Sequence, residues 1–150
     1  MRTWRTDPSI LPPPWTPPSG LFPSLKCRAA TSGNVPDLLL DTDVFVDHLR
    51  GARRLQPARD RILYSVATRC ELFAGREVEE DTVQRLLEPF EEVPVDRSVA
   101  ERAGRLRRTG GLRTPDALIA ATALERQLVL VTRNTRDFQS ARGLKLRNPG

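Results

Sequence analysis

Residues 38–51 read LLLDTDVFVDHLRG: three leucines ended by an acid, then a helical candidate from Val44 to Arg50. A short apolar run that passes directly into a helix is the unit of an α/β domain, in which parallel strands are joined by helices. The acid falls where such a sheet places its chemistry, at the carboxyl end of a strand.

Outward from this stretch the rhythm repeats. Further apolar runs lie at Ile62 to Val66, Val93 to Val95 and Leu128 to Val131, with an edge strand expected at Leu144 to Leu146. Between them the spacing predicts helices from Arg69 to Phe73, Val78 to Phe90, Arg97 to Arg108 and Asp116 to Arg126, and a short one after Asn134. In the third of these, Val99, Ala103 and Leu106 form one stripe and Arg97, Glu101, Arg105 and Arg108 another, the pattern of an amphipathic surface helix. DALIAATAL, from Asp116 to Leu124, is apolar nearly all round, as in a helix packed between a sheet and another element. The expected fold class is therefore α/β, a three-layer domain with a central parallel sheet flanked by helices.

The chain has 150 residues, enough for one domain, and its apolar residues are concentrated beyond residue 36. Eight of the 13 prolines lie in residues 1–36, where LPPPWTPPSGLFPS shows neither helical nor strand period and favours extended polyproline conformations. Folded sequence begins abruptly after Val35, and valine is a residue whose GTG codon can initiate translation. Residues 1–34 thus read either as a disordered leader or as sequence upstream of the true start, and residues 35–150 as the folded domain. The net charge of +5 overstates the case for a polyanion partner, because residues 35–150 carry 20 basic against 18 acidic groups. Two cysteines, Cys27 and Cys70, make no disulfide framework and no thiolate metal site. No stretch has the length of a signal-peptide core or of a membrane span, so a cytoplasmic protein without membrane contact is expected.

Three acids stand at strand ends or helix starts: Asp41 after LLL, Glu71 in the helix entered from ILYSVATRCEL, and Asp116 after Thr114 and Pro115. Each has a structural alternative. Thr68 and Glu71 have the spacing of a capping box. Asp116 could complement a helix dipole behind an N-capping Thr114 and a proline at the first helical position. Asp41 and Asp43 could be turn and capping residues. Taken together, however, several acids on one sheet edge repel one another unless a cation compensates them or some stay protonated. Mg²⁺ or Mn²⁺, which prefer oxygen ligands and leave positions open for a substrate phosphate, suit such an edge. His48, the single histidine, sits near a helix end where a cation is an ordinary structural device, and Cys70 reads as a small packed residue. No phosphate-cradling glycine loop follows any strand.

LLLDTDVFVDHLRG, SVATRCELFAG, TPDALIAATAL and LVLVTRNTRDF, in that order, resemble the successive motifs of PIN-domain toxins of the VapC type. The resemblance covers Asp37 to Phe138. It implies a PIN domain over residues 35–150 and an Mg²⁺- or Mn²⁺-dependent endoribonuclease, the toxin of a toxin–antitoxin pair, with RNA as substrate, a small cognate antitoxin and a homodimer as partners. By the same resemblance Asp41, Glu71 and Asp116 are catalytic acids and metal ligands. The fourth position departs from the family pattern: Thr132 is followed by Arg133 and Asn134 where many relatives place an acid. Asn134 and Asp137 are the candidates for that role, with local capping as their alternative. Asp43 has a supporting or capping role, Thr42 and Thr132 are candidates for positioning water or phosphate, and Arg113, Arg133 and Arg136 for neutralising substrate phosphates.

Two rivals remain open at this level. The pattern of an apolar run followed by DxD also opens haloacid-dehalogenase phosphatases, but these want a later lysine and Lys145 is the only one beyond residue 34. A PIN-like fold kept as a binding module is the other, and Asn134 at the fourth position speaks for it.

Overall fold

The structure is a computed structural model and describes residues 36–52, 61–75 and 79–149. The expectations for residues 1–34, as for Val35, lie outside the described residues. Five short strands, β1 (Leu38–Leu40), β2 (Ile62–Ser65), β3 (Glu91–Val93), β4 (Val129–Val131) and β5 (Lys145–Arg147), form one sheet in the order β3-β2-β1-β4-β5. Every pairing is parallel. The helices are α1 (Thr42–Leu49), α2 (Val66–Phe73), α3 (Glu80–Leu87), α4 (Arg97–Gly110) and α5 (Thr114–Glu125).

Strand alternation sorts the core into two layers. Leu39, Leu63 and Leu130 point to one side and join Val99 and Ala103 of α4 and Ala117, Ile119, Ala120 and Ala121 of α5. Leu38, Leu40, Tyr64 and Val131 point to the other and meet Val44 and Phe45 of α1, Leu72 of α2, and Val83 and Leu87 of α3. There the Phe45 ring stands edge-on to Tyr64 and Phe90, with centroids 6.0 and 5.6 Å away. The alanines of α5 leave no bulk between helix and neighbours, so α5 lies buried between the sheet and α4, as DALIAATAL predicts. Helices α4 and α5 run antiparallel, pinned near one end by ion pairs of Arg102 with Glu125 and Arg126 with Asp96. The reversal between them needs Gly111, whose φ of +68° is in the left-handed region and whose N–H closes the last turn of α4 on the Arg107 carbonyl.

Several elements differ from the sequence reading, most by a residue or two at their ends, and three differences are instructive. The third strand is Glu91–Val93 rather than Val93 to Val95. It is an edge strand whose two glutamates face outward and pair with cations: Glu91 with Arg61, Glu92 with Arg69. Pro94 has no N–H with which to continue the ladder. The segment after Asn134 is a series of turns and not a short helix. Val66 opens α2 instead of closing β2, because the Ser65 hydroxyl accepts the Ala67 N–H and caps the helix there.

The winding of the sheet fixes where a site can form. The chain moves outward from β1 to β2 and β3, then returns through α4 and α5 to lay β4 on the opposite side of β1. The reversal falls between β1 and β4, and in open α/β sheets ligands bind beyond the carboxyl ends of the strands at such a point.

Candidate active site

Asp41 follows β1 directly and extends the ladder, its N–H donating to the Val131 carbonyl at 3.0 Å. It is buried and caps α1, accepting the Thr42 N–H at 2.7 Å. Burial, the neighbouring charge of Asp43 and the charge of Asp116 oppose its ionisation, against hydrogen bonds from Thr132 and Thr42, and push its pKa up to about 7. The capping role foreseen for Asp41 is thus real, and it coexists with a carboxylate held at unusual cost.

Glu71 lies in the second turn of α2, not in a capping box with Thr68. Because Ser65 takes the capping position, Thr68 falls inside the helix, where its hydroxyl is buried without a hydrogen-bond partner among the described residues. Glu71 instead accepts the hydroxyl of Thr42, across from α1 to α2. Burial raises its pKa, the Thr42 bond lowers it, and the charge of Asp116 raises it again.

Asp116 is the third residue of α5. Arg113 occupies the cap position without a side-chain cap, so Thr114 is the first helical residue rather than the N-cap, and Pro115 follows it. Asp116 is half-buried, and its pKa is raised by burial and by the charge of Asp137 and lowered by Arg113. Mutual repulsion therefore links Asp41, Glu71, Asp116 and Asp137, which the fold gathers along one edge from α1, α2, α5 and the turns after β4.

Asp43 joins the group from the first turn of α1. One of its carboxylate oxygens accepts the Arg133 N–H at 2.9 Å, which ties α1 to the segment after β4. The other, Oδ1, is buried with no hydrogen-bond partner among the described residues. At the fourth position Asn134 and Asp137 are both exposed and bonded to each other, the amide of Asn134 donating to the Asp137 carboxylate. The Asn134 N–H is held by the buried Thr132 hydroxyl at 3.1 Å. The structure brings this pair to the edge while engaging the two side chains locally.

The candidates for phosphate neutralisation separate. Arg133 is ion-paired with Asp47, Arg113 acts on Asp116, and Arg136 is exposed in the turn after Asn134. His48 is in the last turn of α1, as expected, whereas Cys70 is exposed rather than packed, on the outer side of α2. Lys145 is paired in register with Val129, the first residue of β4, and so lies at the amino end of the strands, away from Asp41. That placement takes away the lysine a phosphatase of the haloacid-dehalogenase type would use.

The chemistry of the edge fits a hard divalent cation: its donors are oxygens, its carboxylates are only partly compensated, and Asp43 holds an orphaned buried oxygen. Among the described residues no three acidic, histidine or cysteine side chains are drawn together closely enough to hold an ion by themselves.

The PIN domain family model matches residues 38–144. Among solved structures, the chain is 31% identical to a chain of a toxin–antitoxin complex from Klebsiella pneumoniae, covering 76% of this chain and 98% of that one with a TM-score of 0.64. It is 25% identical to a chain of DNA-bound VapBC from Salmonella typhimurium, covering 76% and 98% with a TM-score of 0.57. The FitAcB structure from Neisseria gonorrhoeae, at 24% identity, 75% and 97% coverage and a TM-score of 0.58, shares the fold. No curated protein matches the chain. The chain belongs to the PIN domain family, and its resemblance within that family is to the VapC type.

Proposed function

We propose that the protein is an Mg²⁺- or Mn²⁺-dependent endoribonuclease, the toxic member of a toxin–antitoxin pair. The observation that carries this reading is that Asp41, Glu71 and Asp116 lie within electrostatic reach of one another at the carboxyl edge of β1, each with a pKa raised by burial and by another acid's charge. Acids that repel one another in a fold are stabilised by a cation, and a phosphodiester is a substrate that brings further negative charge to the same place.

When bound, the ion polarises the phosphoryl oxygens and lowers the pKa of a water. Asp41 and Asp116 are the residues that would hold it, with Glu71 orienting water or completing a second position. Thr42 aims the Glu71 carboxylate and favours its ionised form, and Asp43 fixes the start of α1 against the segment after β4. Asn134 and Asp137 contribute charge and orientation at the fourth position.

The similarity to toxin–antitoxin complexes supports a small antitoxin as partner. A homodimer is proposed on the resemblance alone. A binding module without catalysis is the second reading, favoured by the closed Asn134–Asp137 pair. Incubation of the full chain with RNA, with Mg²⁺ or Mn²⁺ and with chelator, decides between them. The expected result is cleavage only with the ion, reduced about a hundredfold or more in Asp41→Asn and Asp116→Asn. Equal cleavage by the variants would overturn the assignment of the acids. Absence of both cleavage and ion-dependent stabilisation would favour the binding module.

A further inference from the structure

Lined by none of these acids, a groove of about 770 Å³ lies between α4 and the turns after β4. One wall is Arg102, Arg105 and Thr109 of α4 with Leu106 at its base, and the other includes Ser140 and Arg142. No carboxylate lines it. We propose that this groove binds the phosphate backbone of an RNA strand and leads it to the acidic edge, an inference that rests on the ribonuclease reading.

Arg102 is paired with Glu125, but the charge of the other two arginines is available for a ligand. Arg105 has only a 3.9 Å contact with Glu101, both side chains more than half exposed, which contributes little in water. Arg142 has no ion-pair partner among the described residues. By contrast, Arg133 at the acidic edge is engaged by Asp47. Guanidiniums and hydroxyls are the donors that phosphate oxygens accept from.

The groove is also preformed. A side chain at Gly110 would place its Cβ 2.5 Å from the Ser140 hydroxyl and 2.8 Å from the Ser140 Cβ, so the walls approach as closely as a glycine allows. Each wall is continuous in the chain with the site: α4 is joined through Gly111 to α5 and Asp116, and the other wall follows Asp137, whose charge reaches Asp116. An edge of incompletely compensated acids repels a polyanion, and a cationic track beside it offsets that repulsion. Protein partners are anchored by buried aromatic or aliphatic side chains in pockets, and Leu106 is the one apolar residue here, so a nucleic-acid backbone is the better match.

The test uses the full chain carrying Asp116→Asn, so that RNA is bound and not cut, and reads fluorescence anisotropy of a labelled single-stranded RNA across a salt series. Adding Arg105→Glu and Arg142→Glu should weaken binding about tenfold or more and flatten the salt slope by about 0.7 for each lost phosphate contact. Lysine at both positions should keep most of the affinity. In the otherwise unaltered chain, the charge reversals should raise KM more than they lower kcat. Unchanged affinity and salt slope in the glutamate variants would overturn the groove, as would an acidic peptide that occupies it while RNA does not compete. If the unaltered chain binds RNA through these arginines but cuts none, the groove stands and the ribonuclease reading falls.

Discussion

The Thr42 hydroxyl donates to the Glu71 carboxylate and so ties the first turn of α1 to the second turn of α2. The bond favours ionised Glu71 against the burial that opposes it. Thr42→Val removes the donor, and the Glu71 pKa rises further. The acidic limb of the pH–rate profile for RNA cleavage should move to higher pH and activity near neutrality should fall about tenfold. Thr42→Ser should restore both. An unshifted acidic limb in the valine variant would remove Thr42 from this role.

Asp41 predicts how the fold responds to pH. Its carboxyl titrates near 7 when folded and near 3.8 when unfolded, so the folded state holds a proton that the unfolded state has lost across that interval. Stability in the absence of divalent ions therefore falls as pH rises from about 4 to about 7. The raised pKa values of Asp43, Glu71 and Asp116 act in the same direction. Thermal unfolding with chelator should give a higher Tm at about pH 5 than at about pH 8. Asp41→Asn, which keeps an N-cap and loses the charge, should flatten that difference. Excess Mg²⁺ or Mn²⁺ should raise the Tm of the unaltered chain mainly at the higher pH. A Tm that climbs with pH in chelator would contradict the whole account.

Asp96 works with the opposite sign. It caps α4 by accepting the Val99 N–H at 3.0 Å and the Ser98 hydroxyl at 2.8 Å, and it pairs with Arg126 at 2.7 Å. These partners hold its pKa down, to about 2, so its contribution is present above the ordinary carboxylate range and lost as pH falls through 2. Asp96→Ala should cost about 0.5–2 kcal/mol in denaturant titrations at neutral pH, most of it from the cap, because the ion pair is exposed. Asp96→Asn should cost less, and equal losses in the two variants would mean that the charge and not the cap carries the effect.

Two glycines of α4 should answer alanine differently. A Cβ at Gly104 meets nothing within 4 Å, so Gly104→Ala should stabilise the protein by up to about 1 kcal/mol through helix propensity. At Gly110 the same change collides with Ser140 and should lose that gain or reverse it. Ser140→Gly in the Gly110→Ala background should recover part of the loss. Parallel thermal melts of the variants give the comparison.

Much of this architecture is legible in local sequence. LLLD at residues 38–41 is a buried strand ended by an acid, and DALIAATAL is a buried helix, because an apolar run of three or a helix apolar all round has few other stable placements. Edge elements are less legible. Glu91 and Glu92 read as solvent-facing residues, yet they form a strand, since an outer strand buries little and leaves its glutamates to pair at the surface with Arg61 and Arg69. The capping box of Thr68 and Glu71 fails for a related reason: spacing alone does not reveal that Ser65 caps the helix first.

The sequence by itself determined which residues are acids, that three of them stand at strand ends or near helix starts, and that strands and helices alternate around a parallel sheet. Tertiary structure alone decided that these acids share an edge, since Asp41, Glu71 and Asp116 come within electrostatic reach only when the chain reverses around β1. It also decided the company they keep: Thr42 on Glu71, Asp137 on Asn134, and a groove of arginines beside them. The physical reason is that propensity and burial pattern act over a few residues, whereas repulsion between carboxylates acts through space and is set by the order in which the strands are laid down.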